Sequence, residues 1–270
     1  MKTRIITAAV ALVIGALIFV FGEMNSVVIT IAASILSGVM CGEFLSVKGL
    51  HKKPALYLPC LLFGALIPAL AYTRVFFLPY YCFMLYLCVI AVVCHASIPL
   101  DDAMHTFFGV SMITLSMGMF TIRVCAANWH PTFWALLIFC VPWFADSAAY
   151  FVGSAIGKHK LCPNISPKKS VEGAVAGVIA GTVAPLLVGL IFYYAYGDLN
   201  VKWWILPIIG LVNSFLSIIG DLIFSVVKRR YDVKDYGNIL PGHGGLLDRF
   251  DSVIFCVPFV YFLTKYIVIV

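Results

Sequence analysis

The sequence predicts an all-α fold, a polytopic integral membrane protein with about nine transmembrane helices, and three observations carry that expectation. Of its 270 residues, 63% are apolar and 11% charged, with a mean hydropathy of +1.04. A soluble domain runs near half apolar and about a quarter charged. Apolar runs of roughly 17 to 25 residues, the helix length that crosses about 30 Å of hydrocarbon, recur along the whole chain. The basic residues, finally, are distributed unevenly among the connections between those runs.

The runs fall near 5–22, 26–47, 55–73, 76–95, 104–122, 131–156, 172–196, 203–228 and 252–269. The first follows Lys2 and Arg4 and reads as a retained helix: no small-residue cleavage site follows it, and further spans do. The second carries Glu43, a lone acid at membrane depth whose reading stays open between a functional group and a simple ion pair. Only the short, low-contrast link "SIPLDD" divides the fourth from the fifth. No region is polar enough to form a separate soluble domain, so residues 1–270 read as a single membrane-embedded domain.

Lys and Arg near span ends are retained on the cytoplasmic side. With the N-terminus inside, 14 of the 18 basic residues fall on inner segments, and Arg74, Arg123, Lys202 and Lys265 fall outside. The two long polar loops, at 157–171 and 229–251, then face the cytoplasm. This bias, with attraction to anionic lipid heads, accounts for the net charge of +6 and leaves no argument for a nucleic-acid partner. The nine cysteines include no C-x-x-C pair and lie mostly within apolar runs, where they read as small hydrophobes.

Acids and hydroxyls inside the spans carry the chemistry. In the eighth, Ser214, Ser217, Asp221, Ser225 and Lys228 are spaced to share one helical face. A carboxylate at that depth costs a few kcal/mol unless a partner, a cation or water meets it, so Asp221 marks a polar interior. In the sixth, Asp146, Tyr150, Gly153 and Gly157 are likewise expected on one face, and the seventh answers with Gly173, Gly177 and Gly181, four apart. Close helix packing explains such glycines, whereas Asp146 reads as functional. Between these spans, "GKHKLCPNISPKKSVEG" supplies Lys168, Lys169 and a candidate helix cap at Ser170, the ingredients of an anion site or of an ordinary inner loop. "GSAIGK" misses the nucleotide P-loop by one residue between its glycines and by His159 after its lysine.

The segment from Ser225 to Ser252 holds nine of the chain's 30 charged side chains and four glycines. Asp248 and Asp251, three apart at the start of the last helix, suit a hard divalent ion, with Asp221 from the preceding span as a third acid. Lys228, Arg229, Lys234 and Arg249 are the cation types that neutralise phosphate oxygens. Metal-binding acids beside phosphate-binding bases suggest phosphoryl or nucleotidyl transfer onto a lipid. A transporter for an anionic solute, which also uses intramembrane acids, is the alternative.

The positions Ser225, Lys228, Arg229, Lys234, Asp235, Gly237, Leu240, Pro241, His243, Gly244, Gly245, Asp248, Arg249 and Asp251 resemble, in identity and spacing, the signature of the phosphatidate cytidylyltransferase family, also called CDP-diacylglycerol synthases. The stretch from Asp146 to Gly173 is similar to that family's second recurring region, with Ser170 where Thr is common and Cys162 as a local variant. The first five spans resemble the family in hydropathy alone. The resemblance implies N-terminal helices over about 1–125 and a catalytic region over about 131–270. It implies a nucleotidyltransferase of phospholipid biosynthesis in the cell membrane that makes CDP-diacylglycerol and pyrophosphate from CTP and phosphatidate. Magnesium is the implied cofactor, with a second cation left open, and a homodimer the implied assembly. Asp221, Asp248 and Asp251 would hold or organise metal, with Lys228 and Arg249 also catalytic. Asp146, Lys168, Lys169, Ser225, Arg229, Lys234, His243, Gly244 and Gly245 would contact substrate.

Overall fold

The computed structural model describes residues 2–73, 75, 77–125, 130–197 and 202–266, with side chains from Ile6 onward except Ala8. Arg74 and the side chains of Lys2 and Arg4, all used in the charge count, lie outside the described residues, as do positions 267–269 of the last expected span.

Nine α-helices appear among the described residues: α1 (Lys2–Met24), α2 (Ser26–Val47), α3 (Pro54–Tyr72), α4 (Phe77–Val93), α5 (Leu100–Cys125), α6 (Pro131–Ile156), α7 (Val171–Tyr196), α8 (Ile205–Arg230) and α9 (Leu247–Tyr266). Six of them, α2, α3 and α5 to α8, are long and apolar enough to cross a membrane, which makes this an all-α membrane protein. The described apolar part of α1 and the 17-residue α4 are shorter, and α9 carries Asp248, Arg249, Asp251 and Lys265.

Local chemistry sets the helix ends. Asn25 caps α2, its side chain accepting from the Val27 N–H, and Ser170 caps α7 by accepting from the Gly173 N–H at 3.1 Å. Pro54 and Pro131 open α3 and α6, where a missing N–H costs nothing. Gly197, at φ 78°, ends α7 in the left-handed conformation that lacks a Cβ penalty. Two helices start earlier than their apolar runs: α5 takes in Asp101 and Asp102, and α9 takes in Asp248 and Asp251. Acids are favoured in a first helical turn, so the polar starts extend the helices beyond the hydrophobic stretches.

The chain forms two compact units, one of residues 1–126 with 231–250, the other of residues 127–230 with 251–270. The segment 231–250 thus groups with the N-terminal helices, although the sequence places it in the C-terminal region.

In the first unit α2 lies against α1, α3 and α5, and α4 against α3 and α5. Gly38 and Gly64 bring α2 and α3 together: a Cβ on Gly38 would stand 3.2 Å from that of Ala65, and one on Gly64 2.9 Å from Cys41 Sγ. In the second unit α7 contacts α6 and α8. A Cβ on Gly173 would stand 2.6 Å from the Ala149 carbonyl oxygen, and one on Gly177 2.8 Å from that of Ala145. The α6 side of this contact is the series Val141, Ala145, Ala149, Gly153 and Gly157, four apart, which meets the α7 glycines and Ser170. Asp146 and Tyr150, expected to share that face, are exposed beside it. The loop between α6 and α7 contains an antiparallel hairpin, β1 (Lys160–Cys162) with β2 (Ser166–Ser170).

Candidate functional site

The second unit gathers charge at the C-terminal end of α8. Ser214 and Ser217 are fully buried and Ser225 is buried beside them, so the polar face read from the spacing does turn inward. Asp221, further along that face, is about a quarter exposed, and its Oδ2 forms an ion pair with Lys169 Nζ. The hairpin delivers this lysine. Along β2 the exposure does not alternate: Pro167 and Lys168 are exposed, while Lys169 is half-buried next to the buried Ser170. Arg229 fixes the hairpin, its Nε donating to the Ile165 carbonyl at 3.3 Å, and Glu172 accepts from the His159 N–H and meets its Nδ1 at 2.7 Å.

Asp251 is the most enclosed acid of the group, 6% exposed. Gly220 allows its approach: a Cβ there would lie 2.8 Å from the Asp251 carbonyl oxygen, so α8 and α9 meet closely one residue before Asp221. Its carboxylate accepts from the Ser252 N–H at 2.7 Å and lies within electrostatic reach of Asp221, Lys228 and Asp146. A nearly buried carboxyl group beside a second acid calls for a cation or a partner. Those donors fit a hard divalent ion. Among the described residues no three His, Cys, Asp or Glu side chains gather as a metal-binding group, so the three-carboxylate set Asp221, Asp248 and Asp251 expected from the sequence is not seen as one cluster.

The first unit holds the glycine-rich loop. Leu240 N–H donates to the Gly244 carbonyl at 3.0 Å and His243 N–H to that of Leu240 at 2.8 Å, closing a tight turn in which Gly242 and Gly244 take φ of 79° and 84°. Arg249 locks the turn, Nη2 and Nε donating to the His243 carbonyl at 2.6 and 3.1 Å. Asp248 Oδ2 accepts from Tyr236 N–H at 2.7 Å and Gly245 N–H at 3.0 Å, and so ties the loop to the start of α9. Lys234 is exposed, and His243 Nδ1 is buried with no hydrogen-bond partner among the described residues.

Glu43 answers the question its position raised: it is neither a lipid-facing acid nor a lysine partner. Its Oε1 accepts from Leu246 N–H at 2.9 Å and its Oε2 from Leu247 N–H at 2.7 Å. The sequence also gave no sign that Lys48 and Lys53 would bind Asp102, at 3.0 and 2.6 Å, with Lys48 also paired to Asp101. Partial burial works against the Lys48 charge, yet its hydrogen bonds to Asp101 and Asp102 outweigh that and hold its pKa above the ordinary lysine value.

Long apolar helices, with an acid and lysine cluster at the end of α8 in one unit and a glycine loop clamped by carboxylates in the other, define an all-α membrane protein with two charged polar regions. The chain belongs to the cytidylyltransferase family, whose model matches residues 2–267. It is similar to the phosphatidate cytidylyltransferase of Bacillus subtilis strain 168, 43% identical over 164 residues that cover 58% of this chain and 59% of that protein. That of Staphylococcus saprophyticus is 46% identical over 123 residues, 46% of this chain and 45% of the relative. That of Staphylococcus aureus strain COL is 38% identical over 157 residues, 58% and 57% of the two chains. The matched part thus spans between about half and three fifths of these relatives' lengths. None of the three supports the transporter alternative.

Proposed function

We propose that the protein transfers the cytidylyl group of CTP to the phosphate of phosphatidate, releasing pyrophosphate and leaving CDP-diacylglycerol in the bilayer. The observation that carries this reading is the Asp221–Lys169 ion pair beside the enclosed Asp251, in a chain of the cytidylyltransferase family.

A phosphate oxygen of phosphatidate attacks the α-phosphorus of CTP, a new P–O bond forms, and the bond from the α-phosphorus to the bridging oxygen of the β-phosphate breaks. The attacking oxygen is already anionic at neutral pH, so no strong general base is needed. Positioning and charge compensation supply the catalysis. Lys169 and Lys228 bind and orient phosphate oxygens at the end of α8, with Lys168 and Arg229 exposed nearby. Asp146 and Ser225 line the substrate side of the same unit. Lys234, His243, Gly244, Gly245 and Arg249 of the glycine loop contribute further phosphate contacts. Asp221 and Asp251 would hold magnesium, which when bound supplies divalent charge against the triphosphate and the departing pyrophosphate. Asp248 is proposed as a metal ligand on the signature resemblance alone.

The same proposal places the N-terminus and both charged loops in the cytoplasm, supported by the bias of 14 of 18 basic residues, and makes the protein a homodimer, which rests on the resemblance alone. The test is product formation by purified protein in lipid micelles supplied with CTP, phosphatidate and magnesium. Equal amounts of CDP-diacylglycerol and pyrophosphate are expected. CTP left unconsumed across lipid compositions would contradict the reading.

A further inference from the structure

We propose that Glu43 is a positioning residue for this reaction: its carboxylate, borrowed from α2, is the cap of α9 and the post around which the glycine loop is wound. The inference rests on the cytidylyl-transfer reading and names a residue far outside the signature.

The need for such a post follows from the start of α9. The first N–H groups of a helix lack intrahelical acceptors, and a Ser, Thr, Asp or Asn ordinarily supplies one from the cap position. The residue there is Leu246, which has nothing to offer, and Leu247 behind it is fully buried. Glu43 meets both N–H groups, one with each oxygen, while itself only 6% exposed. A full negative charge at a helix N-terminus is favourable, and the two N–H donors offset the cost of burying it.

The glycines give an independent reason. Gly242 and Gly244 need their identity for positive φ, but Gly237 and Gly245 do not appear among the positive-φ residues. Space explains them instead. A Cβ on Gly237 would stand 2.5 Å from Glu43 Oε1, with the two next-nearest atoms also belonging to Glu43, and one on Gly245 would stand 2.7 Å from the Gly237 backbone nitrogen and 2.8 Å from the same Glu43 oxygen. Gly237 of the signature is therefore cut to fit one side chain some 200 positions away in the sequence, and Gly245 to fit that side chain and the Gly237 backbone together. The neighbouring Phe44 stacks its ring on Tyr236, centroids 6.0 Å apart, from the same turn of α2. Held by Glu43 on one side and by Asp248 on the other, the loop keeps Lys234, His243 and Arg249 in register with the first turn of α9. Glu43 reaches no substrate in this account; it acts through the backbone it holds.

Three variants of the full-length protein in detergent test this: Glu43→Gln, Gly237→Ala, and Gly237→Ala combined with Glu43→Asp. In Glu43→Gln, amide hydrogen exchange at Leu246 and Leu247 should quicken about 10- to 100-fold, the factor for one lost charge-assisted hydrogen bond, and CTP turnover should fall. Gly237→Ala should also fall in turnover. Shortening the acid in the double variant should restore part of that loss, which a general defect of folding would not do. Unchanged exchange in Glu43→Gln, unchanged turnover despite faster exchange, or equal damage from Gly237→Ala in both backgrounds would each overturn the proposal. Wild-type product formation decides the cytidylyl-transfer reading, and amide exchange, which needs no substrate, decides the anchor, so the two fail separately.

Discussion

Asp221 shows how a single side chain connects sequence to chemistry. Its spacing from Ser214, Ser217 and Ser225 was enough to place it on an inward polar face, since a 3.6-residue period leaves no other arrangement for those residues. Lys169 as its partner was not legible, because a hairpin between the two spans brings it there. Removing the Asp221 charge should therefore damage catalysis more than folding. Asp221→Asn is expected to lower the initial rate by roughly three orders of magnitude, a loss of several kcal/mol of charge stabilisation, and to alter its magnesium dependence. The detergent melting temperature should change little, because Lys169 is partly solvated and loss of a desolvated acid offsets the broken pair. Rates near normal with an unchanged magnesium dependence would contradict the metal assignment. Glu43 illustrates the converse. That a lone acid in a span must find a partner is a physical requirement, but backbone N–H groups 203 and 204 residues away carry no trace in local pattern.

At the scale of elements, apolar run length located the nine α-helices seen among the described residues, because crossing hydrocarbon and burying a helix demand the same stretch of side chains. Their starts were less legible where polar residues extend them, as Asp101 and Asp248 do. The β1–β2 hairpin left no signal: "KLC" and "SPKKS" lack the β-branched and aromatic residues that mark strands, and the hairpin is held by Arg229, Glu172 and the Ser170 cap. Three variants probe these elements. Gly177→Leu places a side chain against the Ala145 carbonyl oxygen, where a Cβ alone would stand at 2.8 Å, and should cost about 1–3 kcal/mol of stability as α6 and α7 are forced apart. Gly15→Leu, with nothing within 4 Å of its Cβ position, should leave the melt unchanged. Ser170→Ala removes the α7 cap and should cost about 0.5–2 kcal/mol. A melt as high as wild type in both Gly177→Leu and Ser170→Ala would contradict the close α6–α7 packing and its cap.

Across the molecule, each unit draws its expected inner segments together. In the first, Lys48 and Lys53 meet Ser97, Asp101 and Asp102, Tyr231 meets His105, and Thr7 donates to the Pro241 carbonyl at 3.0 Å. Segments expected on one side from the charge bias and the alternation of spans therefore contact one another within that unit. In the second, Arg229 and Asp221 meet the 157–171 loop. Cysteine placed at the exposed Asn238, in a cysteine-free background, should react with an impermeant reagent only after the membrane is opened; labelling of intact cells from outside would reverse the orientation.

The central claim is that the bond broken lies between the α- and β-phosphates of CTP. The direct measurement supplies purified protein, phosphatidate and magnesium with CTP radiolabelled at either the α- or the γ-phosphate, and follows the label into the lipid fraction. The account predicts that α-label enters the lipid and γ-label leaves as pyrophosphate in equal amount. Lipid carrying γ-label, or no labelled lipid from either nucleotide, would contradict it.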